Sequence, residues 1–273
     1  MKPLFFSVLF LFAFSHPASA QEPNYQLVWA DEFNKDGRPD PANWTYEHGF
    51  ERNHEDQWYQ PENAWCENGN LIIEARREEK PNPSYDSTSS YWGKQRKEIH
   101  YTSSCLLTKG LHSWKYGRFE MRGRFDIDAG CWPAWWTLGE KGRWPANGEI
   151  DIMEYYRGKV LANIACRKAD GAEWFSRKTP VDSLGGADWS KEFHVWRMDW
   201  DEQHIGLYLD GQLLIQVPLS NLVNKDGSGF EPFKQPHYML LNFALGGDNG
   251  GDPSKTTFPK RFEVDYVRVY RQL

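Results

Sequence analysis

The chain has 273 residues, 40% hydrophobic, 26% charged and 16% aromatic, enough for one large domain or two small ones with a full core. Lys and Arg number 32 against 38 Asp and Glu, a formal net charge of −6 without a like-charge block; this argues against nucleic acid and strongly polyanionic ligands, which need a basic footprint. The 14 Trp, beside 13 Tyr and 16 Phe, exceed what a core alone asks for, because indole is large and its N–H needs a partner, so part of them is assigned to a binding surface.

Lys2 precedes the apolar run LFFSVLFLFAF, and Ala18-Ser19-Ala20 follows as a small-residue cleavage site. The run is too short to span a bilayer, and its flanks are those of a secretory signal peptide over 1–20, with a mature chain from Gln21. No Cys follows the run, which argues against a lipoprotein, and no later segment is apolar enough to cross a membrane. The expected product is secreted, to a periplasm or the medium, and has no membrane partner. In an oxidising compartment Cys66, Cys105, Cys131 and Cys166 allow three pairings. None of their spacings is C-x-x-C, so a zinc or redox site is not expected; disulfides and buried free thiols both stay open.

Residues 21–273 contain no linker, low-complexity tract or repeat, which predicts a single domain. Short apolar or alternating runs bounded by Gly, Pro, Asn or Asp recur at 71–75, 117–125, 149–156, 193–200, 237–245 and 262–270. That is the strand-and-turn signature of an all-β sandwich. Asp210-Gly211 between IGLYL and QLLIQV predicts a hairpin, because Asp-Gly accepts the positive φ angles of a type I′ turn. In FEVDYVRVY the apolar positions do not alternate cleanly, which predicts an irregularity or two-sided burial and demands a partner for Asp265. A large sandwich curves, and its concave face offers a groove for the surplus Trp.

The segment Glu149-Ile150-Asp151-Ile152-Met153-Glu154 carries the chemistry. On a regular strand Glu149 and Asp151 share one face, and Glu154 turns into the core at heavy desolvation cost. A one-residue β-bulge near Met153 returns Glu154 to their face and sets three carboxyls in a row. Two carboxyls about 5 to 5.5 Å apart are what a retaining glycoside hydrolase needs, one as ionised nucleophile and one as acid and then base. Like charges that close raise one pKa, which keeps an acid protonated near neutral pH, while the middle Asp tunes the nucleophile. The bare E-x-D-x-x-E pattern fits a solvated acidic edge or a cation site equally well. The neighbouring Cys131-Trp132-Pro133-Ala134-Trp135-Trp136 and Trp144 decide between them, because flat indole faces suit the C–H faces of sugar rings.

WPAWW followed by RWPANGEIDIMEY resembles glycoside hydrolase family 16, in the laminarinase-like branch whose active strand carries the extra bulge residue. Asp31-Glu32-Phe33, Glu67-Asn68-Gly69-Asn70-Leu71 and the stretches 101–121, 193–200 and 262–270 follow the family's landmarks in order, so the resemblance covers essentially all of the mature chain. It implies a β-jelly-roll sandwich of two curved antiparallel sheets with an open cleft on the concave face. Glu149 then matches the nucleophile, Glu154 the general acid/base and Asp151 the assisting carboxylate. Sugar-binding roles fall to Trp132, Trp136 and Trp144, to Asn53 in an N-x-E-x-Q-x-Y segment, to His194, and to Asn242 in an N-x-A-x-G-G strand. A structural calcium ion is implied at the backbone carbonyls of Glu32 and Gly69 and the side chain of Asp265, since oxygen-only donors suit Ca²⁺; a plainly hydrogen-bonded Asp265 is the alternative.

Catalysis itself is expected to need no cofactor. The expected activity is that of a monomeric, endo-acting, retaining hydrolase of β-1,3- or mixed-linkage β-1,3/1,4-glucan. Alternatives are a galactanase of the agarase, porphyranase or carrageenase type and a non-catalytic glucan-binding lectin; transglycosylation is chemically open. One departure stands out. Many laminarinases have a Trp after the late Gly-Gly, whereas Gly246-Gly247 is followed by Asp248-Asn249-Gly250-Gly251-Asp252-Pro253, which alters one end of the cleft.

Overall fold

Every second residue of the strand Gly117–Phe125 is buried, and the same period of two turns one face of each sheet inward. The computed structural model describes residues 24–273; the expected signal peptide and its cleavage site lie outside them. Two sheets stack face to face. The larger runs Gln212–Pro218, His204–Leu209, His194–Trp200, Gly117–Phe125, Lys260–Gln272, Asn70–Pro81, Glu98–Ser103, Gln57–Tyr59, with Tyr25–Asp31 also paired to Lys260–Gln272 and Ala64–Glu67 to Asn70–Pro81. The smaller runs Ala172–Pro180, Lys159–Arg167, Glu149–Tyr156, Cys131–Gly139, His237–Leu245, Cys105–Leu107, Thr45–Tyr46. Neighbours are antiparallel except Gln57–Tyr59 with Glu98–Ser103, a departure from the expected wholly antiparallel sheets. The intervening hairpin Ala64–Pro81 returns the chain so that both strands run the same way.

The core lies between the sheets. Phe119, Met121, Trp196 and Met198 of the larger sheet face Trp135, Ile150, Ile164 and Phe243 of the smaller one, all fully buried. Trp44, Trp135, Trp196 and Trp200 are core residues, so part of the Trp excess serves packing. All four cysteines are buried free thiols, each on a different strand, so the disulfide alternative is not realised. Asp210 and Gly211 take φ of 49° and 79°, as the type I′ hairpin requires. The uneven pattern of FEVDYVRVY is a register shift between Val264 and Tyr266 that leaves Asp265 unpaired on the ladder. Its carboxylate accepts from Arg122 at 2.6 Å. Among the described residues no helix is long and apolar enough to cross a membrane.

Candidate active site

The acidic strand Glu149–Tyr156 pairs with Cys131–Gly139 on one side and Lys159–Arg167 on the other. From Asp151 to Glu154 it advances three residues while the partners advance two, from Trp136 to Ala134 and from Asn163 to Leu161. The extra residue is the expected bulge. Ile150, Ile152, Met153 and Tyr155 go into the core, and Glu149, Asp151 and Glu154 all line one open cavity of about 490 Å³ on the opposite face. Apolar demand drives the bulge: Ile152 and Met153 both belong to the core between the sheets, whereas regular alternation turns consecutive residues to opposite faces.

Each acid has its own donor. Trp132 Nε1 donates to Glu154 Oε1 at 2.7 Å, and Trp144 Nε1 donates to Glu149 Oε2. Asn163 Nδ2 donates to Asp151 Oδ2 at 3.0 Å and to Glu154 Oε2 at 2.8 Å. Burial, then the charge of Asp151, pushes Glu149 well above the usual carboxylate range. Burial lifts Asp151 to about 6 against the donation from Asn163. Burial, then Asp151, lifts Glu154 to about 8, with Trp132, Asn163 and Lys178 opposing. Three acids held together out of water cannot all ionise, and they share protons as one unit.

Asn53, Trp132, Trp136, Trp144 and Asn242 line the same cavity. Trp144 is 53% exposed on the turn before the acidic strand, free to offer its ring face. That turn closes on Gly148 at φ of +78°, where a Cβ would stand 2.8 Å from Pro232. Trp136 Nε1 donates to Asn242 Oδ1 at 2.7 Å, Asn242 Nδ2 donates to the Tyr59 hydroxyl at 3.0 Å, and that hydroxyl donates to Glu55 at 3.2 Å. The relay locks the plane of the Trp136 ring, over which the Arg52 guanidinium lies 5.2 Å from the centroid.

His194 is a correction. Its strand belongs to the larger sheet, away from the cleft. The imidazole stacks on Trp189 at 4.1 Å, and its nitrogens meet Asp210 Oδ2 at 2.7 Å and the Trp189 carbonyl at 2.8 Å. A fully engaged ring that anchors the Asp210-Gly211 hairpin has nothing left for a sugar.

The implied calcium donors do not fit an ion as folded. Asp265, the only side-chain donor of that set, is neutralised by Arg122, and the carboxylate of the adjoining Glu32 accepts two bonds from Arg268 at 2.7 and 2.8 Å.

Trp174, Arg52, Glu55, Asp248 and Asn249 complete the lining and were not singled out as binding residues from the sequence. Trp174, 46% exposed, stands on the edge strand Ala172–Pro180, with Ala165 between it and Glu149 along one row. Its signal was present in AEWFSRK, where Phe175 packs on the core and Trp174 therefore faces the cleft. Asp248 and Asn249 belong to the departure after Gly246-Gly247. Both glycines are needed there: a Cβ on Gly246 would stand 1.8 Å from Asp56 Oδ2, and one on Gly247 2.5 Å from the Asn53 carbonyl. Asp248 N donates to that carbonyl at 2.8 Å, so the loop closes against Asn53.

A curved sheet carrying a row of proton-sharing carboxyls, with exposed indoles around it in an open groove, defines a glycoside hydrolase acting on a polysaccharide. Residues 52–268 match Glycosyl hydrolases family 16. The chain is 36% identical to a β-glucanase of Rhodothermus marinus, over 93% of this chain and 87% of that protein. The laminarinase structure from Rhodothermus marinus superposes with a TM-score of 0.74 at 36% identity, covering 93% of this chain and 100% of that one. A structure from work on endo-acting O-glycanases with which human gut bacteria initiate mucin breakdown superposes with a TM-score of 0.83 at 32% identity, covering 94% of each chain. The chain belongs to glycoside hydrolase family 16, and it is laminarinase-like with the jelly-roll fold of that family.

Proposed function

We propose that the enzyme is an exported, monomeric, endo-acting hydrolase that cuts β-1,3- or mixed-linkage β-1,3/1,4-glucans with retention, by double displacement. The bulge carries this reading, because it sets Glu149, Asp151 and Glu154 on one face of an open, indole-lined groove. Glu149 attacks the anomeric carbon while Glu154 protonates the departing oxygen; the C–O bond breaks and a glycosyl-enzyme forms. Glu154, now ionised, takes a proton from water, whose oxygen attacks the same carbon and frees Glu149. Asp151 is 4% exposed, whereas Glu149 is more open and receives the Trp144 N–H. Glu149 and Asp151 share a proton, and attack requires it to sit on Asp151, which leaves Glu149 the nucleophilic charge. Both Rhodothermus marinus relatives support β-glucan as substrate.

A second reading is an endo-acting glycanase of mucin-type O-glycans, favoured by the 0.83 TM-score and by the polar Asp248 and Asn249 at the cleft end. A digestion panel of laminarin, barley mixed-linkage glucan, agarose, carrageenan and mucin glycans, with products sized by mass, separates them. Oligosaccharide ladders from laminarin or barley glucan are expected. Products from mucin glycans alone would move the assignment to the second reading.

A further inference from the structure

We propose that Asn163 is the positioning residue that lets Glu154 serve as acid in the first half of the reaction and as base in the second; this rests on the double-displacement reading above. Asn163 stands opposite Asp151 on the neighbouring strand, between Leu161, which pairs with Glu154, and Ala165, which pairs with Glu149. It is 4% exposed. Its amide nitrogen has two hydrogens and spends one on each carboxyl, at 3.0 Å to Asp151 and 2.8 Å to Glu154. No other side-chain nitrogen among the described residues bonds both acids.

The other end of the same amide is informative. Asn163 Oδ1 is buried without a hydrogen-bond partner among the described residues. Leaving an acceptor unpaired out of water costs free energy. A flipped amide would aim that oxygen at two carboxyls and withdraw the one donor that serves both, so the orientation is the one that supports the acids when they ionise. A residue kept only for packing has no reason to bear an orphaned acceptor; a donor aimed at two acids does.

Burial alone favours a protonated Glu154, which suits the first half of the reaction and obstructs the second. Hydrogen bonds donated to the charged form oppose burial. The groups facing Glu154 are Asp151 and Glu149 from its own strand, Trp132 from the preceding strand and Lys178 from the edge strand, with the Tyr156 hydroxyl also close enough to feel its charge. Trp132 supports Glu154 alone. Asn163 supports Glu154 and Asp151 together, so when the proton leaves Glu154 the amide stabilises the new charge without releasing the partner of the nucleophile.

The test uses Asn163→Leu, close in shape but without a donor, and Asn163→Thr, which keeps a shorter one. The parent enzyme is first assayed for anomeric outcome. The basic limb of kcat/KM against pH reports the acid in the free enzyme. In Asn163→Leu this limb is expected to move up by about one pH unit. At neutral pH kcat should fall more than kcat/KM, with glycosyl-enzyme accumulating by mass spectrometry. Asn163→Thr should shift the limb less and in the same direction. A folded Asn163→Leu with the parental limb and parental kcat to kcat/KM ratio would overturn the proposal. Should that variant not fold, an unmoved limb in Asn163→Thr does so. An inverted product from the parent would instead overturn the double-displacement reading itself, and the proposal with it.

Discussion

The indole N–H of Trp132 stands 2.7 Å from Glu154 Oε1, and only 5% of the Trp132 residue is exposed. An indole expected as a sugar platform is therefore first a hydrogen-bond donor to Glu154, the acid of the proposed mechanism. Its large buried ring holds that donor rigidly, which a flexible polar side chain would not. The exposed stacking faces of the cleft belong to Trp144 and Trp174 instead.

Replacing Trp132 by Phe keeps most of the ring and removes the N–H. Without a donor to its ionised form Glu154 is expected to hold its proton to higher pH, so the basic limb of kcat/KM should move up. An unmoved limb in a folded variant would show that the contact only packs.

Glu149→Gln should leave the fold intact and remove nearly all turnover on the glucan that the panel identifies. Glu154→Ala should cost on the order of 10²–10⁴ in rate through lost acid and base catalysis. Azide should partly restore Glu154→Ala by attacking the glycosyl-enzyme and giving a β-glycosyl azide. An α-azide, read by proton NMR, would contradict retention.

Stability should depend on pH through the same acids. The Glu154 carboxyl sits at about 8 in the folded protein, against about 4.3 in an unfolded chain. The folded state thus binds more protons, so the stability this group contributes is full below the unfolded value and is lost as pH rises through about 8. Asp151, lifted to about 6, acts in the same direction over a narrower range. Glu149, held well above the usual carboxylate range, acts the same way, and Glu154→Gln removes the share that belongs to Glu154. Its Tm should therefore gain on the parent as pH rises from about 4 to about 8, by about 2–4 °C for each kcal/mol recovered. A difference that stays constant with pH would mean that Glu154 is not held protonated.

Trp174→Ala and His194→Ala should behave in opposite ways. Losing an exposed cleft indole is expected to weaken oligosaccharide binding by about 2- to 10-fold with little change in melting. Losing His194 should lower Tm, through the freed Asp210 and the unstacked Trp189, and leave KM unchanged. Isothermal titration and thermal melts on both variants decide this. A His194 variant with weakened binding and parental melting would return His194 to the substrate.

Chelation tests the implied metal. With Asp265 neutralised by Arg122, EDTA is expected to leave Tm unchanged. A fall that calcium reverses would show that the ion displaces the guanidinium.

By itself the sequence determined the strand-rich class, the Asp210-Gly211 hairpin, the bulge and the identity of the three acids. These depend on residues one or two positions apart. Ile150, Ile152 and Met153 must all reach the core, and a strand satisfies that beside Glu149, Asp151 and Glu154 only by inserting one residue. The tertiary structure alone decided which sheet each strand joins and which rows of side chains line up across it. His194 carries the right residue type, but its strand pairs with Gly117–Phe125 in the larger sheet. Asn163 lies nine to twelve residues from the acids it touches and meets them only through cross-strand register. Arg52 and Trp136, far apart in sequence, meet when the 52–56 loop closes over the late strand and Gly246-Gly247. Local patterning is a property of the chain's chemistry, whereas register and sheet membership are settled by the packing of the whole core.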